Sequence, residues 1–479
     1  MNRDSKDQSQ HYKQMIEPSN GDSNEQKTKH PSDNQQINNS LQQKYQLKNQ
    51  NLNYIKKKTE SPWVLVIYAF TLALLLILEQ FFRGPLYQLT LDIVPGIQAK
   101  LTAPAIWYFK FMTLFGYGHA AIIFFALFYA FSTREKAFYL LLVHTVAGIM
   151  NQELKMIYHN PRPYISSPDI QALACSKSFG NPSGHSSLSS CFYTSLFLVV
   201  MYDCEWSNVS VRGRQIIKRE GRLSYWLSLV LLIFLVINVG LSRVALGVHS
   251  LNQILYGWSY GLWIALFMFK YVRPGVYKHI RNLEEKPNGQ INTLQDSLLQ
   301  RDDNLNRMSM YAQQHDYFGL GMRAIIIYFL IIIFSVVNYH IVRTYFQYPQ
   351  EWLDVIIQKC GHGKTTLDEK TIFTDSAFIK TGLVSAIFGA YFGILYDSHY
   401  MGGTPSTINN TTMAKGFMRI VIGGIIIIPF VMPYFLINTQ FSVGVLYLVK
   451  CQLPFFILMF MVFSWLKSVF LTFNLVDQN

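Results

Sequence analysis

PWVLVIYAFTLALLLILEQFF, residues 62–82, carries a single charge, Glu79, in twenty-one positions. At about 1.5 Å per helical residue such a run crosses the roughly 30 Å hydrocarbon core of a bilayer. FMRIVIGGIIIIPFVMPYFLI (417–437) reads the same way, and similar runs lie near 116–132, 137–157, 186–202, 224–241, 250–271, 323–342, 378–396 and 443–466. Lipid offers backbone N–H and C=O groups no partner, so each run is expected to satisfy its own as a helix. Ten spans predict an all-α, polytopic membrane protein with a six-helix core and about four additional transmembrane helices.

The flanking segments complete the organisation. Asn and Gln make up 19 of the first 54 residues, a composition that buries too little apolar surface to offset chain entropy. Residues 1–60 are therefore expected to be a disordered cytoplasmic tail, with the first span acting as an uncleaved signal. The six-helix core runs over 61–272, a polar cytoplasmic loop over 273–321, and a C-terminal four-helix region over 322–479. The formal net charge of +13 concentrates in Lys56–Lys58, in Arg212, Arg214, Lys218, Arg219 and Arg222, and in 270–323. All three clusters fall on the cytoplasmic side of a ten-span topology. Membrane lipids account for this charge, and no nucleic-acid partner is expected.

Several isolated residues carry bland readings. Glu79 pairs with Arg83 near a span end. His119 and His144 read as hydrogen-bonded core histidines. Asp397 and His399 make an incomplete metal set. Ser385, Gly389 and Gly393 recur every four residues, which suits close helix packing. The five cysteines show no CxxC or Cys/His spacing, so neither zinc nor a disulfide framework is expected. HExxH, P-loop and GxGxxG patterns are absent.

Three polar clusters remain: ELKMIYHNPRP (153–163), NPSGHSS (181–187) and SRVALGVHSLNQ (242–253). Each lies at a span end, and the ten-span topology puts all of them on the luminal or exterior face. Lys155, Arg162 and Arg243 supply positive charge, with arginine forks suited to phosphate oxygens. Ser183 and Gly184 open a helix whose backbone N–H groups and dipole favour an anion. Of two histidines, one can attack phosphorus while the other protonates the leaving oxygen and then activates water. No carboxylate cluster is evident, so metal-independent chemistry without a cofactor is expected.

Lys-x6-Arg-Pro, Pro-Ser-Gly-His and Ser-Arg-x5-His, in this order, resemble the signature of the type 2 phosphatidic acid phosphatase (PAP2) superfamily. The resemblance covers about residues 150–260. It implies a phosphoric monoester hydrolase with His249 as nucleophile and His185 as general acid. Lys155, Arg162, Ser183, Gly184 and Arg243 would bind the phosphate. The usual pattern ends His-x3-Asp, whereas this chain has Gln253. At i+4 the residue shares a helix face with His249, and its carbonyl can accept the Nδ1–H bond that orients the ring. Glucose-6-phosphatases and dolichyl-pyrophosphate phosphatases are similar here.

The resemblance implies an endoplasmic-reticulum or plasma-membrane enzyme acting on a lipid phosphate of sphingoid-base phosphate or phosphatidate type. A sugar phosphatase or a dolichyl-pyrophosphate phosphatase is the alternative within the class. A non-catalytic transporter or lipid-handling protein is the alternative outside it.

Overall fold

The computed structural model describes residues 62–206, 214–284, 316–360, 372–401, 412–436 and 441–475. The 1–60 tail, Arg212, the middle of the 273–321 loop, and Asn409 and Asn410, two N-x-S/T sequons that the ten-span topology places in the cytoplasm, lie outside the described residues. So do the side chains of 202–222 and of His119. By contact the chain falls into two units, 1–69 and 70–479, and every contact below lies within the second.

Helix follows helix among the described residues: α1 Pro62–Ala99, α2 Ala103–Leu114, α3 Gly118–Phe131, α4 Arg134–Tyr158, the single turn α5 Pro163–Ser166, α6 Gly184–Trp206, α7 Arg214–Ala245 and α8 Leu251–Phe267. Helix α8 runs through a π turn (Met268–Val272) into α9 Arg273–Glu284. Then come α10 Tyr317–Tyr345, α11 Gln350–Cys360, α12 Thr374–Thr381, α13 Ser385–Tyr400 and α14 Met413–Leu436. A π-wound lead-in from Val443 precedes α15 Leu453–Ser464 and α16 Leu466–Thr472.

Each of the ten apolar runs lies mostly on these helices. Among the described residues, six helical segments are long and apolar enough to cross a membrane: Trp63–Ala99, Leu223–Ala245, Tyr317–Tyr345, Thr374–Tyr400, Met413–Phe430 and Val443–Thr472. The remaining four runs lie on α3, α4, α6 and α8. Helix α3 has only fourteen residues, and the other three carry the polar residues of the site, which lower their hydropathy. The protein is all-α and multi-pass.

Side-chain placement suits a lipid surround. Phe81, Trp107 and Phe318 face outward, more than 70 % exposed, while charged groups turn inward. Arg134 pairs with Asp397 at 2.5 Å and with Glu284 at 3.3 Å, all three buried, so Asp397 serves an ion pair rather than a metal. Glu79 chelates Arg83 through two bonds of 2.8 and 2.6 Å. It also accepts from Asn181 Nδ2 at 2.7 Å, so it braces the second polar cluster as well. His144 is buried against Phe192, and its Nδ1 has no partner among the described residues. Packing, not hydrogen bonding, holds that ring. Ser385, Gly389 and Gly393 line the crossing of α13 with α15, where a Cβ on Gly389 would meet Phe456 O at 2.2 Å.

One expectation is corrected. Cys175 and Cys360, 185 residues apart, form a disulfide. Sequence spacing misses it because the partners come together only when α11 lies over the loop between α5 and α6. Lys359, beside it, donates to the carbonyls of Tyr164, Ser167 and Ile170 at 3.0, 2.9 and 2.9 Å. Burial of this ammonium among carbonyls lowers its pKa. Further along the same loop, Phe373 N donates to Lys177 O at 2.6 Å and its ring stacks on Phe179 at 5.0 Å. The C-terminal helices thus clamp the loop that leads into the site.

Candidate active site

Three turns of backbone bring the polar clusters together. Helix α4 ends at His159, whose left-handed φ of 34° directs the chain toward Arg162. Ser183 caps α6: its Oγ accepts from Ser186 Oγ at 3.0 Å and from Ser186 N at 3.4 Å. Its hydroxyl proton stays available to a ligand. Between α7 and α8, Gly247 turns the chain at φ +74°, where a Cβ would also strike Gln171 O at 2.5 Å. Only glycine meets both demands. The second and third clusters are then joined directly, with Ser183 N donating to Gln253 O at 3.0 Å.

Arg162 is buried, and all five of its N–H groups find acceptors. Nε donates to Ser178 O at 2.7 Å, and one amino group reaches Ser178 Oγ at 3.3 Å and Phe179 O at 3.1 Å. The other donates to Val248 O and to His249 Nε2, both at 2.9 Å. A guanidinium has donors only, so His249 Nε2 must be an acceptor and the ring neutral with its proton on Nδ1. That proton goes to Gln253 Oε1 at 3.0 Å. Burial first, then the charges of Arg162, Lys155 and Arg243, hold His249 well below the usual imidazole pKa of 6.5. Burial likewise lowers Arg162 to about 10, which leaves it charged at neutral pH.

Gln253 sits at the third position of α8 in a capping box with Ser250. Its Oε1 accepts from Ser250 N at 3.3 Å as well as from His249. Its Nε2 donates to Pro161 O at 2.9 Å, tying the first cluster to the third. Gly180 makes room: a Cβ there would lie 2.4 Å from Gln253 Nε2. An aspartate or glutamate could orient the histidine but could not donate to Pro161.

The remaining residues face the same locus. Lys155 is buried and donates to Phe179 O at 2.7 Å. Arg243, also buried, donates to Thr113 Oγ1 at 3.1 Å, while its Nε has no partner among the described residues. His185 is in the same state at Nε2 and packs edge-on against Tyr117 with ring centroids 4.5 Å apart. Lys155, Arg162 and Arg243 all act electrostatically on His185. Gly184 lies over Asn151, whose Oδ1 would be 3.1 Å from an added Cβ. The site therefore presents two neutral-capable imidazoles, three cations, a free hydroxyl proton and a helix N-terminus. Among the described residues, none of the interactions acting on these three cations comes from a carboxylate.

Sequence reasoning missed four contributors. Asn151 donates to Ser187 Oγ at 2.9 Å, and its i, i+4 relation to Lys155 was a usable signal. Thr113 and Tyr117, at the α2–α3 junction, reach Arg243 and His185 from a segment without any motif. Lys380, from α12, acts on both Lys155 and His185.

An all-α, multi-pass membrane fold with paired histidines in a nest of buried cations defines the class. Residues 136–276 match the family model described as the PAP2 superfamily. Among solved structures, the chain is similar to a transmembrane PAP2-type phosphatidylglycerolphosphate phosphatase from Bacillus subtilis. That similarity has 21% identity and a TM-score of 0.34, over 44% of this chain and 96% of that one. No curated protein matches the chain.

Proposed function

We propose that this protein is an integral membrane phosphatase that hydrolyses the phosphate ester of a lipid through a phosphohistidine intermediate. The observation that carries the reading is the tautomer of His249. With Nδ1–H held by Gln253, the Nε2 lone pair points at Arg162. An incoming phosphoryl oxygen replaces Nε2 as the acceptor of that Arg162 bond, which frees the lone pair beside phosphorus.

Nε2 then forms a bond to phosphorus as the ester P–O bond breaks, and His185 gives its proton to the leaving oxygen. The arriving phosphate offsets the three cations and so allows His185 to hold that proton. Charge on the equatorial oxygens is met by Arg243, Arg162, Lys155 and the first N–H groups of α6. In the second half, His185 takes a proton from water, whose oxygen attacks phosphorus, and the P–N bond breaks to release phosphate and neutral His249.

The disulfide supports a luminal or extracellular site. Disulfides persist in oxidising compartments, and the loops bearing Cys175 and Cys360 fall on one side of a ten-span topology, the side of the three clusters. The endoplasmic reticulum, with the plasma membrane as alternative, suits such an enzyme. A lipid is favoured as substrate because the site sits at span ends, where an amphiphile enters from the bilayer.

The test uses full-length protein in detergent with phosphatidate, sphingoid-base phosphate, dolichyl pyrophosphate and glucose 6-phosphate. Phosphate release from a lipid ester that His249→Ala abolishes, and that vanadate inhibits as a transition-state mimic, is the expected result. Release unchanged in His249→Ala for every compound sinks the enzyme reading.

A further inference from the structure

Helix α12 belongs to the C-terminal helices, outside the segment matching the family model, yet it packs on α4 beside the site. Ala377 lies in one apolar cluster with Met156, the neighbour of Lys155. Lys380 follows Ala377 by three residues, on the same helix face, and is half-buried. Just before α12, Phe373 bonds to Lys177 O in the loop that leads into the site. Lys380 acts electrostatically on Lys155 and His185 and is itself acted on by Arg162 and Lys177. Among the described residues it has no hydrogen-bond or ion-pair partner.

Four cations therefore share one locus: Lys155, Arg162, Arg243 and Lys380. A phosphomonoester brings at most two negative charges at neutral pH, which the three cations of the core already exceed. A fourth ammonium, half-buried and without a hydrogen-bond or ion-pair partner among the described residues, repels the other three in the free protein and is offset by more negative charge on the ligand. We propose that Lys380 forms a second anionic subsite beside the phosphoryl site, so that the preferred substrate carries a further anionic group next to the phosphate that is cleaved. This rests on the phosphatase reading for its substrate but not for its binding chemistry. A diphosphate ester fits the description, as does a monoester with a neighbouring phosphate or carboxylate.

Binding of two hydrolysis-resistant probes separates the subsites. Orthophosphate occupies the phosphoryl site alone, whereas methylenediphosphonate reaches both. In purified full-length protein, methylenediphosphonate should bind about tenfold or more tighter than orthophosphate, the worth of one charge-assisted hydrogen bond. Lys380→Gln should erase that preference, weakening methylenediphosphonate about tenfold more than it weakens orthophosphate, while Lys380→Arg keeps it. Equal weakening of both probes, or of neither, overturns the proposal. Removing an unpaired cation strands no partner, so Lys380→Gln should melt no lower than the wild type. Should it not fold, Lys380→Met is read in the same way. Hydrolysis of farnesyl diphosphate and phosphatidate then tells a diphosphate from a monoester: Lys380→Gln should raise KM for the first selectively. If no ester is hydrolysed above the His249→Ala background, the phosphatase reading falls while the binding comparison still decides Lys380.

Discussion

Gln253 accepts the Nδ1 proton of His249 at 3.0 Å while its amide nitrogen donates to Pro161 O at 2.9 Å. One side chain therefore orients the proposed nucleophile and joins two motifs that lie some ninety residues apart. An acid at this position would perform the first task and oppose the second.

Gln253→Glu preserves the acceptor for His249 but sets a carboxylate oxygen against Pro161 O. We expect a loss of about 1–3 kcal/mol in stability, the cost of a stranded buried polar group, and a fall of tenfold or more in kcat/KM. Gln253→Asp, a methylene shorter, gives up the Pro161 bond without that repulsion and should fall between the two. Thermal melts and phosphate-release kinetics decide; a Gln253→Glu variant with wild-type values in both would show that the Pro161 bond is idle.

The pH dependence follows from His249. Its native pKa lies well below the 6.5 of a free imidazole, so near pH 6 the native ring is still neutral while the unfolded chain is taking up a proton. The stability this group contributes is complete above about 6.5 and is lost as pH falls toward the native value. The acid limb of kcat/KM should accordingly lie below 6.5. A midpoint at or above that value, measured on the wild type, contradicts the environment described.

Arg162 and Arg243 should respond differently to lysine. Five N–H groups of Arg162 are matched, and an ammonium can replace at most three in another geometry. Arg162→Lys should lower stability by about 3 kcal/mol or more and abolish turnover. Arg243 donates to Thr113 and interacts with Tyr117, and among the described residues its Nε is left for the phosphoryl group. Arg243→Lys should fold within about 1 kcal/mol of the wild type and lose about 10²-fold in kcat. Equal melting losses in the two variants would refute the distinction.

The Cys175–Cys360 bridge fastens the loop whose carbonyls hold Arg162 and Lys155. Alkylation followed by peptide mass spectrometry should label these two cysteines only after reduction. Cys360→Ser should cost about 2–4 kcal/mol and raise KM more than it lowers kcat, because the loop loosens while His249 keeps its partner Gln253 on α8. Labelling of Cys175 without reductant would remove the bridge from the account.

Hydropathy by itself determined the membrane helices, because a span must be apolar along its own length and owes nothing to distant residues. The three motifs also marked Lys155, Arg162, Ser183, Gly184, His185, Arg243, His249 and Gln253, since helix ends collect polar residues there against an apolar background. Pairings were decided by tertiary structure alone. Arg162 is held mostly by backbone carbonyls, which carry no residue identity that a sequence could display. Cys175 meets Cys360 across 185 positions, and Lys380 reaches the site from a helix without any motif. Gln253 shows the division most plainly: its sequence position pointed to His249 through helical spacing, but its second bond, to Pro161, exists only because the fold closes that loop over it.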